Sequence, residues 1–585
     1  MLELQRLTVS VGGEGGPTLL ADITARFPRG QLCALIGPSG SGKTTLIRAV
    51  AGMSEPTAGS LHWDRRDLEE EDLPASQIGY VPQFTISDDN LTAAENVRLA
   101  LQLRVGGLDN DALVLRANEL LELTGLASAA RTMGKHLSGG QRRRLALAME
   151  LCSEPALLLC DEVTSGLDAQ SEKEILALLQ QIARKGDQVV IVVTHGLGEI
   201  DAYDKVAVLS EGHLAYFGPP GTAAHYFRAE KPEEIFQRLP QRSGADWHAS
   251  WEKHRRHFEQ DEEPAMKPPS REQNEGTSDE KATETAEPGA DTATPEYWSR
   301  PPSALRQLMV LLAVRWKVFF RDRGGLALQL GLLLGFPLVV AIFASKGLPA
   351  VPALDADLSG DVVRQLVEAR TFAEGASRAG SMVSGLVLLQ VILLGLMGAN
   401  NSAREIAGER RIYEKERFAG LSAAAYVASK VAFLAVIVVL QSAWMTWFVR
   451  TVADFPGDAG QQFIFYLMAN ASLTAVCLGI SAAASGADQA SLASIYLVGF
   501  QLPLSGAVLA LPSGLDAALR PFIAAYWSWS GALQSLRETR YYDVLELVIP
   551  TSLSASSLCL WILLLHVAVG IFAAWLGCLR ASGEG

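Results

Sequence analysis

Cysteine is scarce and scattered: six residues, at 33, 152, 160, 477, 559 and 578, with no CxxC pair and no even spacing. That argues against a zinc ribbon and against a disulfide framework. An excess of positive charge is also missing. Fifty Lys and Arg against 64 Asp and Glu leave a formal net charge of −14, so no nucleic-acid partner is expected. The acidity has a local source, since twelve acids and three bases fall between Glu259 and Ser299. No cleavable leader reads at the start. Met1-Leu-Glu-Leu runs straight into strand-like alternation, and the first half is expected to be cytosolic. Long apolar runs are absent from residues 1–300 yet dominate 326–578. A chain of 585 residues built this way divides into a soluble part and a membrane part, three or four domains by length alone.

Within the soluble part, Gln31 to Ile36 reads as a buried strand, and GPSGSGKTT follows at once. Gly37, Pro38, Ser39, Gly40, Ser41, Gly42, Lys43, Thr44 and Thr45 make a phosphate loop in its required context, strand before and helix after. The glycines let backbone N–H groups wrap phosphate oxygens, Lys43 reaches the β- and γ-phosphates of ATP, and the Thr44 hydroxyl ligates Mg²⁺. Gln83, in GYVPQ, ends another short strand. It is either an ordinary surface residue or a sensor of the metal and the attacking water. Residues 91–133 read as mostly helical.

Two half-sites share the stretch Leu137 to Asp168. In LSGGQ, Ser138, Gly139, Gly140 and Gln141 open a helix and offer a hydroxyl and unhindered N–H groups to an anion. Arg142, Arg143 and Arg144 follow, either as a solvated basic face or because a polyanion sits nearby. The strand LLLC then delivers Asp161 for Mg²⁺ and Glu162 to polarise the attacking water. SGLD, ending in Asp168, leads into the next helix. VVIVVTH carries His195 to the end of one more buried strand, either structural or facing the γ-phosphate.

GPSGSGKTT, VPQ, LSGGQ, LLLCDE, SGLD and TH, in that order, resemble the ATPase domain of ABC transporters over residues 1–230. The resemblance implies that Ser138 and Gly140 bind the γ-phosphate of ATP held by the Lys43 loop of a second subunit, two domains closing head to tail over two nucleotides. Two departures stand out. TVSVGGEGG has no aromatic between Thr8 and Gly16 to stack on adenine, leaving Val9 or Val11 as substitutes. Val163 also follows Glu162 where the family usually has proline.

Residues 231–300 read as a linker, acidic and largely disordered from about 259. Residues 301–323 read as an amphipathic elbow helix along the cytosolic membrane surface. Six apolar segments follow, near 326–345, 384–401, 424–448, 463–484, 491–511 and 555–578, each close to the ~20 residues a spanning helix needs. REIAGERRIYEKERFAG between the second and third holds five Lys or Arg, as expected of a cytosolic loop. Trp527, Trp529, Tyr541 and Tyr542 read as interfacial anchors, and 512–553 as a stretch that partly re-enters the membrane. Gln390, Gln441 and Gln501 are cavity candidates or interhelical hydrogen-bond formers.

The expected fold is thus an α/β P-loop ATPase domain (1–230) followed by an all-α membrane domain (324–580) with six transmembrane helices. This order is similar to the G subfamily of ABC half-transporters and to bacterial ABC-2-type exporters. YFGPPGTAAHYF and the charged loop carry that closer likeness, although KPEEIF replaces the subfamily's Asn-Pro-Ala-Asp-Phe-like segment. The resemblance implies an ATP- and Mg²⁺-dependent exporter of an amphipathic or lipid-like substrate in the bacterial inner membrane. It would work with a second copy of itself, a heterodimer being the variant. The alternative is a mechanical ABC ATPase that acts on a partner protein or on lipid without transport.

Overall fold

The structure, a computed structural model, describes residues 1–580 except 13–15, 65, 69–72, 74, 261–301, 346, 352–361, 508–511 and 550. It divides into two compact units. One is Met1–Ser303 with Phe418–Gly420, the other Ala304–Arg417 with Leu421–Gly585.

The first unit holds two sheets. An antiparallel sheet contains β1 (Leu2–Ser10), β2 (Thr18–Phe27), β4 (Ala58–Trp63) and β5 (Arg66–Asp67) in the order β2-β1-β4-β5. Inward residues alternate along β1, so Leu2, Leu4, Leu7 and Val9 are buried. The second sheet contains β3 (Gln31–Ile36), β6 (Ile78–Val81), β7 (Leu157–Asp161), β8 (Val189–Val193), β9 (Lys205–Ser210) and β10 (His213–Gly218). Its order is β10-β9-β3-β8-β7-β6, parallel throughout except for β10. LLLCD and VVIVV are buried at every position, as continuous apolar runs are when helices cover both faces of a parallel sheet.

The helices of this unit are α1 (Lys43–Val50), α2 (Ala93–Arg104), α3 (Asn110–Leu123), α4 (Gly139–Glu150), α5 (Ala169–Gly186), α6 (Pro220–Tyr226), α7 (Ile235–Arg238) and α8 (Gly244–Gln260). Local sequence explains where they begin. Thr92 with Glu95 and Ser138 with Gln141 form capping boxes at α2 and α4, and the Asp168 carboxylate caps α5. The far end of α4 is anchored by a buried ion pair. Arg104 of α2 donates to both oxygens of Glu150, at 3.0 and 3.3 Å, and to the Met149 carbonyl at 3.1 Å. The expected linker lies outside the described residues from 261 onward.

The second unit is helical: α9 (Ala304–Arg321), α10 (Arg323–Phe343), α11 (Val362–Ser402), α12 (Arg410–Phe418), α13 (Ala423–Ala453), α14 (Ala459–Ala483), α15 (Ala487–Leu504), α16 (Ser513–Leu519), α17 (Ala524–Gln534), α18 (Arg540–Val548) and α19 (Ser556–Arg580). Among the described residues five helical stretches are long and apolar enough to cross a membrane, those built on α10, α11, α13, α14 and α19. The remaining expected span, 491–511, falls on the 18-residue α15 and ends in undescribed residues.

The expectation for the tryptophans changes, and one of the two readings of the glutamines is selected. Trp527 and Trp529 are buried in α17, donating their ring N–H groups to Arg520 O at 2.8 Å and Ser384 O at 3.3 Å. They are core residues, because AAYWSWSGAL is apolar or small on every face and is covered all round. Gln441 and Gln501 take the hydrogen-bonding role. Gln441 exchanges bonds with Gln329, Asn401 and Asn470, and Gln501 accepts the Ala525 N–H. Gln390 donates to Leu386 O within its own helix.

Removing one member of the Arg104–Glu150 pair strands a buried charge, at a cost of about 3–5 kcal/mol. Glu150→Leu should therefore lower the apparent melting temperature of the first unit sharply, and the double variant Arg104→Met/Glu150→Leu should recover much of the loss. Thermal unfolding of the three proteins followed by tryptophan fluorescence checks this.

Candidate functional site

The order β3-β8-β7-β6 makes neighbours of four strand ends. Each carboxyl end carries one piece of the site: the Gly37–Thr45 loop after β3, His195 after β8, Asp161 and Glu162 at β7, and Gln83 after β6. Ligands of open α/β sheets bind at this edge.

The loop after β3 folds as its glycines allow. Gly42, the residue before α1, has φ 97°, and a Cβ there would lie 2.6 Å from Leu20 Cδ2. Lys43 Nζ donates to the carbonyls of Gly37 and Pro38, both at 2.9 Å. The Ser41 hydroxyl is buried with no hydrogen-bond partner, a donor turned into a loop of backbone amides. Burial lowers the Lys43 pKa, while Glu162 and Asp161 oppose the shift.

Opposite stand the two carboxylates. Glu162 lies in the left-handed region, φ 51°, its N–H held by Val193 O at 3.1 Å. One of its oxygens accepts from Gln83 Nε2 at 2.7 Å, and the other lies 2.6 Å from His195 Nε2. Gln83, Glu162 and His195, far apart in sequence, thus form one cluster. Burial raises the Asp161 pKa and the neighbouring Glu162 charge adds to this. The Thr44 hydroxyl, Arg48 and Lys43 pull the other way.

The second half-site makes its hydrogen bonds within itself. Ser138 Oγ accepts from Gln141 N–H at 3.3 Å, and Gln141 Oε1 accepts from Ser138 N–H at 3.0 Å. This reciprocal pair leaves the N–H groups of Gly139 and Gly140 pointing out of the first turn of α4. Asp168 accepts from Ser171 N–H at 3.0 Å and from Ser171 Oγ at 2.7 Å, bonds that lower its pKa. Among the described residues no hydrogen bond joins Ser138, Gly139, Gly140, Gln141 or Asp168 to the Lys43 loop.

The arginines after LSGGQ find protein partners. Arg142 donates to Lys135 O at 3.1 Å, and Arg144 donates to Thr124 O at 3.3 Å and pairs with Glu174. Arg143 is half-buried, and burial lowers its pKa while the Glu162 charge opposes the shift; its Nη1 is buried and without a hydrogen-bond partner among the described residues. Val9 is buried in the core and only Val11 is exposed, so Val9 is not available to an adenine ring.

Sequence reasoning passed over Arg48 and Tyr80. The Tyr80 phenol bonds Arg48 and Asp161, and burial pushes its pKa up to about 12. Tyr80 pairs with Leu159, two residues before Asp161 and therefore on the same face of the sheet. Alternation along GYV carries that signal only once the neighbouring strand is known.

Comparison with known proteins agrees with this geometry. Residues 20–165 match the ABC transporter family and residues 306–529 the ABC-2 type transporter family. The ABC transporter ATP-binding/permease protein Rv1747 of Mycobacterium tuberculosis is 30% identical over 525 residues, covering 87% of this chain and 54% of the relative. The sulfate/thiosulfate import ATP-binding protein CysA of Brucella melitensis is 37% identical over 204 residues, 34% of this chain and 57% of its own. The chain thus spans a little over half the length of these curated relatives. A solved ATP-binding cassette, MJ0796 in a dimeric post-hydrolysis state with ADP and Pi, aligns at 28% identity and a TM-score of 0.35, covering 38% of this chain and 99% of that one. The chain belongs to the ABC transporter superfamily, an ABC transporter cassette fused ahead of an ABC-2 type membrane domain.

Proposed function

We propose that the chain is a half-transporter that works as a homodimer and exports an amphipathic or lipid-like substrate through a six-span membrane domain. The observation that carries this reading is the grouping of Gln83 and His195 on the two oxygens of Glu162, beside a phosphate loop, while the LSGGQ half stands apart. Glu162 is then the general base for the attacking water. His195 orients it and meets the γ-phosphate, and Gln83 reports on the nucleotide. The outward N–H groups of Gly139 and Gly140, with the Ser138 hydroxyl, take the γ-phosphate bound by the second copy.

Mg²⁺ suits the residues present. The Thr44 hydroxyl, the Asp161 carboxylate and the carbonyl oxygen of Gln83 are hard donors. Asp161 also stands next to a second carboxylate in a partly buried setting, and burial with that neighbouring charge raises its pKa despite Arg48 and Lys43. When bound, the ion supplies neutralisation of phosphate charge. Export as the direction rests on the domain order, shared in resemblance with half-transporters. The importer relative CysA matches only 34% of the chain and does not bear on the membrane half.

Three measurements test the reading. Glu162→Gln should bind ATP like the wild type, read with a fluorescent nucleotide analogue, yet lose roughly two orders of magnitude or more in turnover; a wild-type rate would remove Glu162 as base. Gly42→Ala forces a Cβ against Leu20 and an unfavourable left-handed backbone worth about 1–2 kcal/mol, so ATP affinity should fall roughly tenfold or more. For the dimer, Ser39→Cys/Ser138→Cys in the Glu162→Gln background should cross-link between two copies when ATP is present and not without it. Cross-linking that ignores ATP would count against the head-to-tail arrangement.

A further inference from the structure

The outer half of α13 carries an arginine that the transport reading does not use. The nineteen residues between Lys430 and Arg450 hold no charge, and at 1.5 Å rise per residue the two cations stand about 30 Å apart, the thickness of a bilayer's hydrocarbon core. Lys430 is paired, donating to Glu405 at 3.2 Å and to Glu409 at 2.5 Å. Arg450 marks the opposite headgroup level, and among the described residues no carboxylate lies within ion-pair distance of it. Asp454 and Asp458, both exposed, are the acids at that end.

The guanidinium is held in place. Its Nη1 donates to Gly457 O at 2.8 Å and to Gln462 Oε1 at 3.0 Å, and Gln462 is itself buried and anchored to Pro456 O at 2.7 Å. Gly457 packs so closely on Ser535 O that a Cβ would come within 2.7 Å. Among the described residues no acceptor lies within hydrogen-bond distance of Nη2 or Nε. Arg450 borders a groove of about 580 Å³ lined also by Ala443, Thr446, Trp447, Ala459 and Phe463. From there an exposed apolar stripe, Trp447, Leu440 and Val436, continues toward the membrane centre at helical spacing. Trp447 is backed by the Trp444 ring at 5.2 Å.

We propose that this groove is a binding site for an anionic phospholipid, its phosphate on the free edge of Arg450 and an acyl chain laid along Trp447 and Leu440. A fixed guanidinium with two adjacent free donors matches two phosphate oxygens. A cation at headgroup level with no acidic partner is complemented by an anionic headgroup. The apolar stripe directly beneath it suits the attached chain.

The test is native mass spectrometry of the full chain released from nanodiscs of mixed phosphatidylglycerol and phosphatidylcholine. Wild type should retain phosphatidylglycerol in preference, and Arg450→Gln should lower that retention roughly tenfold, the worth of a charge-assisted hydrogen bond. Arg537→Gln, which removes an exposed cation near the groove but outside its lining, should leave it unchanged. Trp447→Ala keeps every hydrogen bond of Arg450 and should weaken retention of both lipids. Equal retention in wild type and Arg450→Gln overturns the proposal. So does an equal loss in Arg537→Gln, which would mean bulk charge attraction. A shift from dimer to monomer in Arg450→Gln without any change in bound lipid also overturns it, because the face would then be an interface between copies.

Discussion

Parallel pairing of β3, β8, β7 and β6 is the constraint on which the ATP site depends. Asp161 pairs with Val193 and Leu35 pairs with Val193 from the other side, so three strand ends finish level. The following residues then meet without any long reach. A slip of one residue in β7 would exchange its two faces and aim Asp161 away from Thr44. LLLCD and VVIVV are buried on both faces, so a slip would leave them in the core but would mismatch every side chain with the close-packed neighbours on each side. Packing of these strands therefore sets the register, and the register positions Asp161.

Within that frame Glu162 solves a geometric problem. Consecutive residues of a strand point to opposite faces, yet Asp161 and Glu162 are both assigned to the one proposed site. The chain leaves strand geometry at Glu162, whose left-handed backbone redirects its side chain toward Gln83 and His195. Such a conformation costs about 1–2 kcal/mol for a residue with a Cβ. The bond from its N–H to Val193 O and the one from Ser165 N–H to its carbonyl hold it there. Val163, buried just beyond, occupies this bend without proline's restriction on φ. Strain stored at a functional residue is a familiar compromise between stability and chemistry.

Much of the cassette was legible in sequence because its signals are local. A phosphate loop needs its glycines within nine residues, a helix cap needs Ser138 and Gln141 three apart, and buried strands announce themselves as apolar runs. Gln83, Glu162 and His195 are individually legible for the same reason, each following a strand-like apolar run. What the sequence could not carry was pairing. Tyr80 reaches Asp161 only because β6 lies beside β7, Arg104 meets Glu150 across forty-six residues, and Val9 is lost to the adenine because β1 turns it inward. Trp527 and Trp529 misled for a related reason. Tryptophan near an apolar segment is ambiguous between a membrane interface and a packed core until its neighbours are known, and here they are covered on all sides.

The helical unit obeys a different rule, since an apolar surface gives no reason for one apolar helix to choose another in lipid. Its helices are joined by polar groups and by close backbone contact. Gln329 of α10, Asn401 of α11, Gln441 of α13 and Asn470 of α14 share one hydrogen-bonded chain, so four helices satisfy each other's amides where water is excluded. Gly570 and Gly577 let α19 approach α14 so closely that a Cβ on either would strike its backbone. Near one end, Arg315 of α9 forks onto both oxygens of Glu405 at 2.6 and 2.7 Å, and Lys430 joins Glu405 to Glu409. Two cations and two anions cancel there, which is the condition for keeping charge out of water. Arg450 at the other end of α13 departs from that pattern. Its protein partners are neutral oxygens, so its compensation must come from outside the chain, from solvent or from a lipid headgroup, and the apolar groove beside it is what favours the lipid.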